Sequence, residues 1–244
     1  MHLLIIYYIY KMGEFQTKGT KESKESEGTN EKEVEKAPSM DNKKEKNIIV
    51  DEEDKKEEMN TGHKPVPIKI VNKVMKSICK ITIKKKSNDI TGTGFFMNVS
   101  NSQKYLLTNY HVINPEIINE IIEIEIHNQQ KMILNLENRD IKYIKRPKDI
   151  TAIEIKDSDE IYKYIEFLYY DKNYQDYGYS IYKGVDIFTI EHPYGDDASC
   201  ASGTIKKLHD YEFYHDISTD SGSSGCPIIL NNKKYKFITS YRYT

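Results

Sequence analysis

From residue 13 to about residue 64 the chain carries Lys, Glu, Ser, Asn and Thr with almost no apolar positions, and neither a helical nor a strand period survives more than a few steps. That pattern predicts a solvated, disordered tail over residues 1–64. The pattern changes at Pro65-Val66-Pro67. Beyond it, Ile70, Val71, Val74, Met75 and Ile78 recur at helical spacing, which predicts a short helix within residues 68–79. Then come short runs rich in Ile, Val, Thr, Tyr and Phe, separated by turn residues. The first set covers residues 79–84, 91–99, 105–108, 121–128, 131–136 and 151–155. The second covers residues 164–170, 185–190, 203–208, 213–218, 227–230 and 236–241. No helices alternate with these strands, so the chain reads as all-β, in two sets of about six strands suited to two barrels. Asp, Asn, Gln and Gly cluster at residues 171–178 and divide a first barrel at about 78–170 from a second at about 178–244.

Composition narrows the function classes. The 36 basic and 38 acidic residues leave a formal charge of -2, so no net field gathers nucleic acid or an anionic membrane. Cys79, Cys200 and Cys226 are far apart with no Cys-x-x-Cys pair, which excludes a zinc knuckle or dithiol site and suits a reducing compartment. The apolar run at residues 3–10 is eight residues long, well short of the ~18 that read as a membrane span. It also lacks the basic start and small-residue end of a signal peptide, so an intracellular setting is expected over secretion. Translation from Met12 would give a terminus, Met12-Gly13-Glu14-Phe15-Gln16-Thr17, that fits the N-myristoylation pattern.

The densest chemistry lies in Gly222-Ser223-Ser224-Gly225-Cys226-Pro227, a Gly-x-Ser-Gly-x-Pro run. A serine hydroxyl becomes a nucleophile when a base removes its proton, and the oxyanion formed on attack needs N–H donors aimed at it. Flanking glycines permit the tight turn that aims them. A base is available in Leu107-Thr108-Asn109-Tyr110-His111, where a histidine follows a short apolar strand. His127, His192, His209 and His215 lack such a setting and read as structural or surface histidines. Asp149 heads the apolar strand Ile150-Thr151-Ala152-Ile153, where a carboxylate can orient an imidazole; Asp140 and Asp157 are nearby alternatives. Cys226 reads as a small core residue, not a second nucleophile.

With these elements the chain resembles the trypsin-like serine peptidases, and most closely the disulfide-poor bacterial glutamyl endopeptidase-like group. The resemblance follows the family's order: Gly-Thr-Gly-Phe-Phe at residues 92–96, Leu-Thr-Asn-x-His at 107–111, Asp-Ile at 149–150, His-Pro-Tyr-Gly at 192–195 and Asp-Ile-Ser-Thr at 216–219, before the serine turn. It implies two perpendicular six-stranded β-barrels with His111, Asp149 and Ser224 as a triad between them. It further implies an oxyanion hole from the N–H groups of Gly222 and Ser224, a pocket wall including Ser218 and Thr219, a protein or peptide substrate, and no metal or organic cofactor. Ser218 stands where relatives cutting after Lys or Arg carry a carboxylate, so basic specificity is not expected. Phe237-Ile238-Thr239-Ser240-Tyr241 replaces the family's Ile-Gly-Ile-His-x-Gly-Gly strand, and a C-terminally truncated second barrel is expected. The alternative function is an inactive domain of this fold whose cleft holds a peptide.

Overall fold

The computed structural model of the chain describes residues 63–100, 103–127, 131–146, 148–170, 179–209, 212–231 and 237–238. The expected tail up to residue 62, the divider at 171–178 and the end of the last expected strand lie outside these residues. The predicted helix is present as α1 (Ile68–Met75). Pro67 stands at its start and its carbonyl accepts the Ile70 N–H at 2.8 Å. Val74 is buried, and Ile70, Val71 and Met75 pack on the same core, as their spacing requires. Ile78 belongs instead to the first strand.

Twelve strands follow: β1 (Ile78–Lys84), β2 (Ile90–Ser100), β3 (Gln103–Thr108), β4 (Ile121–Ile126), β5 (Met132–Ile133), β6 (Ile141–Ile144), β7 (Ile150–Glu154), β8 (Asp186–Glu191), β9 (Ser199–His209), β10 (Glu212–His215), β11 (Ile228–Leu230) and β12 (Phe237–Ile238). They make two antiparallel sheets, ordered β5-β4-β1-β2-β3-β7-β6 and β10-β9-β8-β11-β12. The all-β expectation holds, with seven and five strands among the described residues where six and six were expected. β4 shows the cause of strand formation most simply: Ile122, Ile124 and Ile126 are buried while Glu123 and Glu125 lie on the more open face.

Two departures account for the seven-to-five division. The run at 164–170 forms no strand. β1 begins at Ile78, opposite Phe95, so the edge of β2 beyond that point lacks a strand partner. Leu168 bridges to this edge, donating to the Phe96 carbonyl at 2.8 Å and accepting from Asn98 at 3.0 Å. Conversely β6, Ile141-Lys142-Tyr143-Ile144, lies outside the runs expected as strands. Lys142 is 5% exposed, its ammonium paired with Asp140, which also accepts the Tyr105 hydroxyl at 2.9 Å. Beside this pair, Arg139 grips Asp159 with two hydrogen bonds of 2.6 and 2.8 Å. Burial would raise the Asp159 carboxyl, but Arg139 and the Lys156 N–H hold it below its ordinary value. Burying a lysine is tolerable only with such a partner.

The apolar core has three parts. One fills the first sheet around Ile81, Ile83, Phe96, Leu106 and Ile124, and another fills the second around Ile187, Ile205, Phe213 and Ile228. The third joins them: Val74 of α1, Phe95, Met97 and Leu107 of the first sheet pack with Phe188, Ile190 and Ile229 of the second. This shared core sets the two sheets side by side and positions the loops at their junction.

Candidate active site

β3 and β7 are paired with Thr108 opposite Thr151, so the residues just past the end of β3 meet those just before β7. His111 lies in the first group and Asp149 in the second. The turn after β3 is closed by Val112 and Ile113 N–H groups on the Asn109 carbonyl, both at 3.1 Å. Val112 and Ile113 are buried, which anchors the turn and leaves the His111 side chain 44% exposed. Asp149 sits at φ 51°, in the left-handed region that Asp tolerates better than most residues. Its carbonyl is held by the Tyr110 N–H (3.1 Å) and the Asn109 amide (2.8 Å). Its carboxylate takes the His111 backbone N–H at 2.9 Å and the ring Nδ1 at 2.5 Å. An ionised carboxylate only accepts, so Nδ1 carries the proton and Nε2 is left as the basic nitrogen.

The serine turn is seated against the same strand ends. The Ser224 carbonyl accepts the Thr93 N–H at 2.8 Å, and the Gly222 carbonyl accepts the Thr93 hydroxyl at 2.9 Å. A Cβ on Gly92 would lie 2.7 Å from Val112 and 3.4 Å from the Ser224 carbonyl, so the neighbours of His111 and of Ser224 converge on one glycine. Within the turn, Ser223 donates its N–H to Asp220 at 3.2 Å and Cys226 donates to Ser223 at 3.0 Å. Ser223 is 5% exposed, with its Oγ accepting from the Asp220 N–H at 3.3 Å, whereas Ser224 is half-buried. Among the described residues no hydrogen bond joins Ser224 to His111; such bonds commonly tighten only when substrate binds.

Both glycines of the turn are required by geometry. Gly222 has φ 90° and Gly225 φ 93°. A Cβ at Gly225 would meet the Thr93 carbonyl at 2.1 Å and the Thr108 hydroxyl at 2.5 Å. Gly225→Ala is therefore expected to cost about 3 kcal/mol, from crowding together with left-handed strain. Gly184→Ala is the control, with φ 76° but nothing within 4 Å, and should cost only about 1 kcal/mol. Chemical denaturation midpoints check this; equal losses would mean that the packing of the turn on Thr93 contributes nothing.

Behind the turn lies the loop 192–196. Burial pushes the His192 ring below its usual pKa, aided by Lys80; the Asp196 carbonyl, 3.0 Å from Nδ1, opposes the shift only in part. His192 is 6% exposed, and its N–H donates to the Thr93 hydroxyl at 3.0 Å. In the expected pocket wall, Ser218 is exposed and Thr219 half-buried. Asp216, two residues before Ser218, is already engaged: Oδ1 accepts the Thr204 N–H at 2.6 Å and Oδ2 lies 2.8 Å from Lys206. Burial would raise its pKa, but these partners hold it below the usual carboxylate range. Cys226 is half-buried, with its thiol 3.8 Å from Glu191. Of the alternative acids, Asp140 is turned to Lys142 and Tyr105, and Asp157 to Lys104 at 2.9 Å.

Thr93, Asn109 and Tyr194 each take part in the site's framework without having been singled out in the sequence. Thr93 sits in Gly92-Thr93-Gly94 and Asn109 in Leu-Thr-Asn-x-His, so the motifs marked their places. Nothing in a linear pattern indicated that one threonine would bond the turn at Gly222, the turn at Ser224 and the loop at His192.

The family model described as trypsin-like peptidase domain matches residues 92–235, more than half of the chain. Among solved structures the fold is similar to that of the serine endoprotease from Yersinia pestis, at 17% identity and TM-score 0.53, over 73% of this chain and 60% of that one. It is also similar to Deg5, at 16% identity and TM-score 0.51, over 67% of this chain and 78% of that one. At these identities the likeness is one of fold, and the chain spans about three fifths of the length of the Yersinia protein. No curated protein matches the chain.

Proposed function

Because the chain belongs to the trypsin-like peptidase domain family, we propose that it is a serine endopeptidase in which His111, Asp149 and Ser224 form the catalytic triad. The observation that carries this is the two-point grip of Asp149 on His111, through the backbone N–H and through Nδ1, beside a glycine-flanked serine turn seated on the same strand ends. Ser224 Oγ attacks the scissile carbonyl while Nε2 of His111 takes its proton, and Asp149 stabilises the imidazolium that forms. The N–H groups of Gly222 and Ser224 hold the oxyanion. Collapse of the tetrahedral intermediate breaks the C–N bond, with His111 returning the proton to the leaving amine, and water then repeats the sequence on the acyl-enzyme.

We read the units at about 78–170 and 178–244 as the two halves flanking the cleft, with Ser218 and Thr219 in the wall that meets the residue before the cut. Selectivity for Lys or Arg is not part of this reading. Asp216, two residues before Ser218, is already bonded to Thr204 and Lys206 and is not free to hold a substrate cation. An acidic preference of the glutamyl endopeptidase kind rests on Thr219 alone and is read directly from cleavage of a mixed peptide library.

The test is reaction of the full chain with a fluorophosphonate probe, which phosphonylates only an activated serine. Labelling that disappears in Ser224→Ala and in His111→Ala supports the reading. A folded chain that stays unlabelled removes it, leaving the cleft as a peptide-binding surface.

A further inference from the structure

The Ser221–Gly222 peptide is fastened through its carbonyl. Its N–H, that of Gly222, is one of the two oxyanion donors in the mechanism proposed above, on which this inference rests. Its carbonyl, that of Ser221, accepts the Tyr194 backbone N–H at 2.5 Å. A trans peptide is a rigid plane whose C=O and N–H point in opposite directions. Whatever holds the carbonyl on one side therefore aims the N–H to the other. If the plane turned over, it would present a carbonyl where the oxyanion must sit and lose one donor.

Tyr194 reaches this position at a conformational cost. Its φ is 56°, in the left-handed region that a tyrosine rarely adopts, and its ring is 67% exposed, so core burial does not hold it there. Local bonds do. The phenol faces Asp220, the residue before Ser221, whose carboxylate raises the phenol's pKa. On either side, Gly195 donates to the His192 carbonyl at 3.1 Å and Asp196 to the Pro193 carbonyl at 2.9 Å. Gly222 completes the fit. A Cβ there would lie 2.5 Å from the His192 carbonyl and 2.8 Å from the Tyr194 nitrogen, so only glycine lets the two loops approach this closely.

We propose that Tyr194 is a positioning residue: its N–H grips the Ser221 carbonyl and so sets the direction of the Gly222 N–H, a grip that requires the left-handed conformation. The side chain itself need not touch substrate. Glycine at 194 keeps the N–H and adopts positive φ readily, whereas valine keeps the N–H but is forced out of that region.

The experiment uses the full chain with Tyr194→Gly, Tyr194→Val and Tyr194→Phe. Each is read by kcat and KM on a peptide substrate, by the rate of fluorophosphonate labelling and by a crystal structure of the serine turn. The expected result is kcat within a few-fold of the parent for Gly and for Phe, and a fall of about a hundredfold for Val, the scale of one lost oxyanion donor, with KM little changed. The Val crystal should show the Ser221–Gly222 peptide turned over and the Gly crystal should not. Equal losses in Gly and Val would assign the effect to the side chain and overturn the proposal, as would an active Val variant with the peptide unmoved. The crystal readout does not need catalysis. A parent chain inert to the probe whose peptide still turns over in Val alone would sustain the positioning role while removing the peptidase reading.

Discussion

Ser224→Ala is expected to abolish fluorophosphonate labelling of the chain and to lower peptide hydrolysis by about a millionfold, the scale seen when the nucleophile of such a triad is removed. The turn offers three serines, and their surroundings separate them. Ser223 is 5% exposed and its hydroxyl is engaged by the Asp220 N–H, while Ser221 gives its carbonyl to Tyr194. Ser224 is the half-buried one whose carbonyl is fastened to Thr93, next to the glycine that Val112 also touches. His111→Ala should remove labelling to a similar degree, because an un-ionised hydroxyl attacks neither the probe nor a peptide at a useful rate. Both variants should melt with the parent, since His111 is 44% exposed and the Ser224 contacts run through its backbone. Persistent labelling of Ser224→Ala would move the nucleophile to another residue and end the assignment.

Asp149→Asn is expected to lower kcat by about 10,000-fold with little change in KM or thermal midpoint. The carboxylate accepts from both the His111 N–H and the ring Nδ1. An amide can accept at one position but presents an NH2 at the other, which turns the imidazole into the tautomer with its proton on Nε2, where it cannot act as a base toward serine. Asparagine suits this test because it tolerates the φ of 51° at this position nearly as well as aspartate does. Its main-chain carbonyl would still receive Tyr110 and Asn109. The loss is then chemical, not conformational. Asp149→Ala would confound the two, since alanine lacks the short polar side chain that eases the left-handed region. A fall of less than tenfold in the asparagine variant would show that Asp149 does not orient the base.

The fold class was legible in the sequence, and the residues proposed for the triad were picked out there by local signatures. Ser224 stands between glycines, His111 follows an apolar strand, Asp149 heads another, and β4 alternates isoleucine with glutamate at the strand period. The helix was legible too, down to the stripe of Ile70, Val71, Val74 and Met75 that meets the core. Local patterns of this kind report what a segment does with its own two faces, and that much is written in the order of side chains.

What depended on partners distant in the chain was not legible. β6 lies outside the runs read as strands, yet it forms around Lys142 because Asp140 and Tyr105 supply a buried partner network. The run at 164–170 reads as a strand, yet it forms only isolated bridges, such as that of Leu168 to Met97, because the length of β1 decides how much of the edge of β2 is open. The same holds at the site. Thr93 joins the serine turn to the loop at His192, and Tyr194 adopts a conformation disfavoured for tyrosine, because two loops separated by about thirty residues must close on one glycine. Sequence determined which groups are present and which surface each strand buries. The tertiary structure alone decided which of them meet, because a hydrogen bond or ion pair depends on the distance between its atoms in space and not on their separation along the chain.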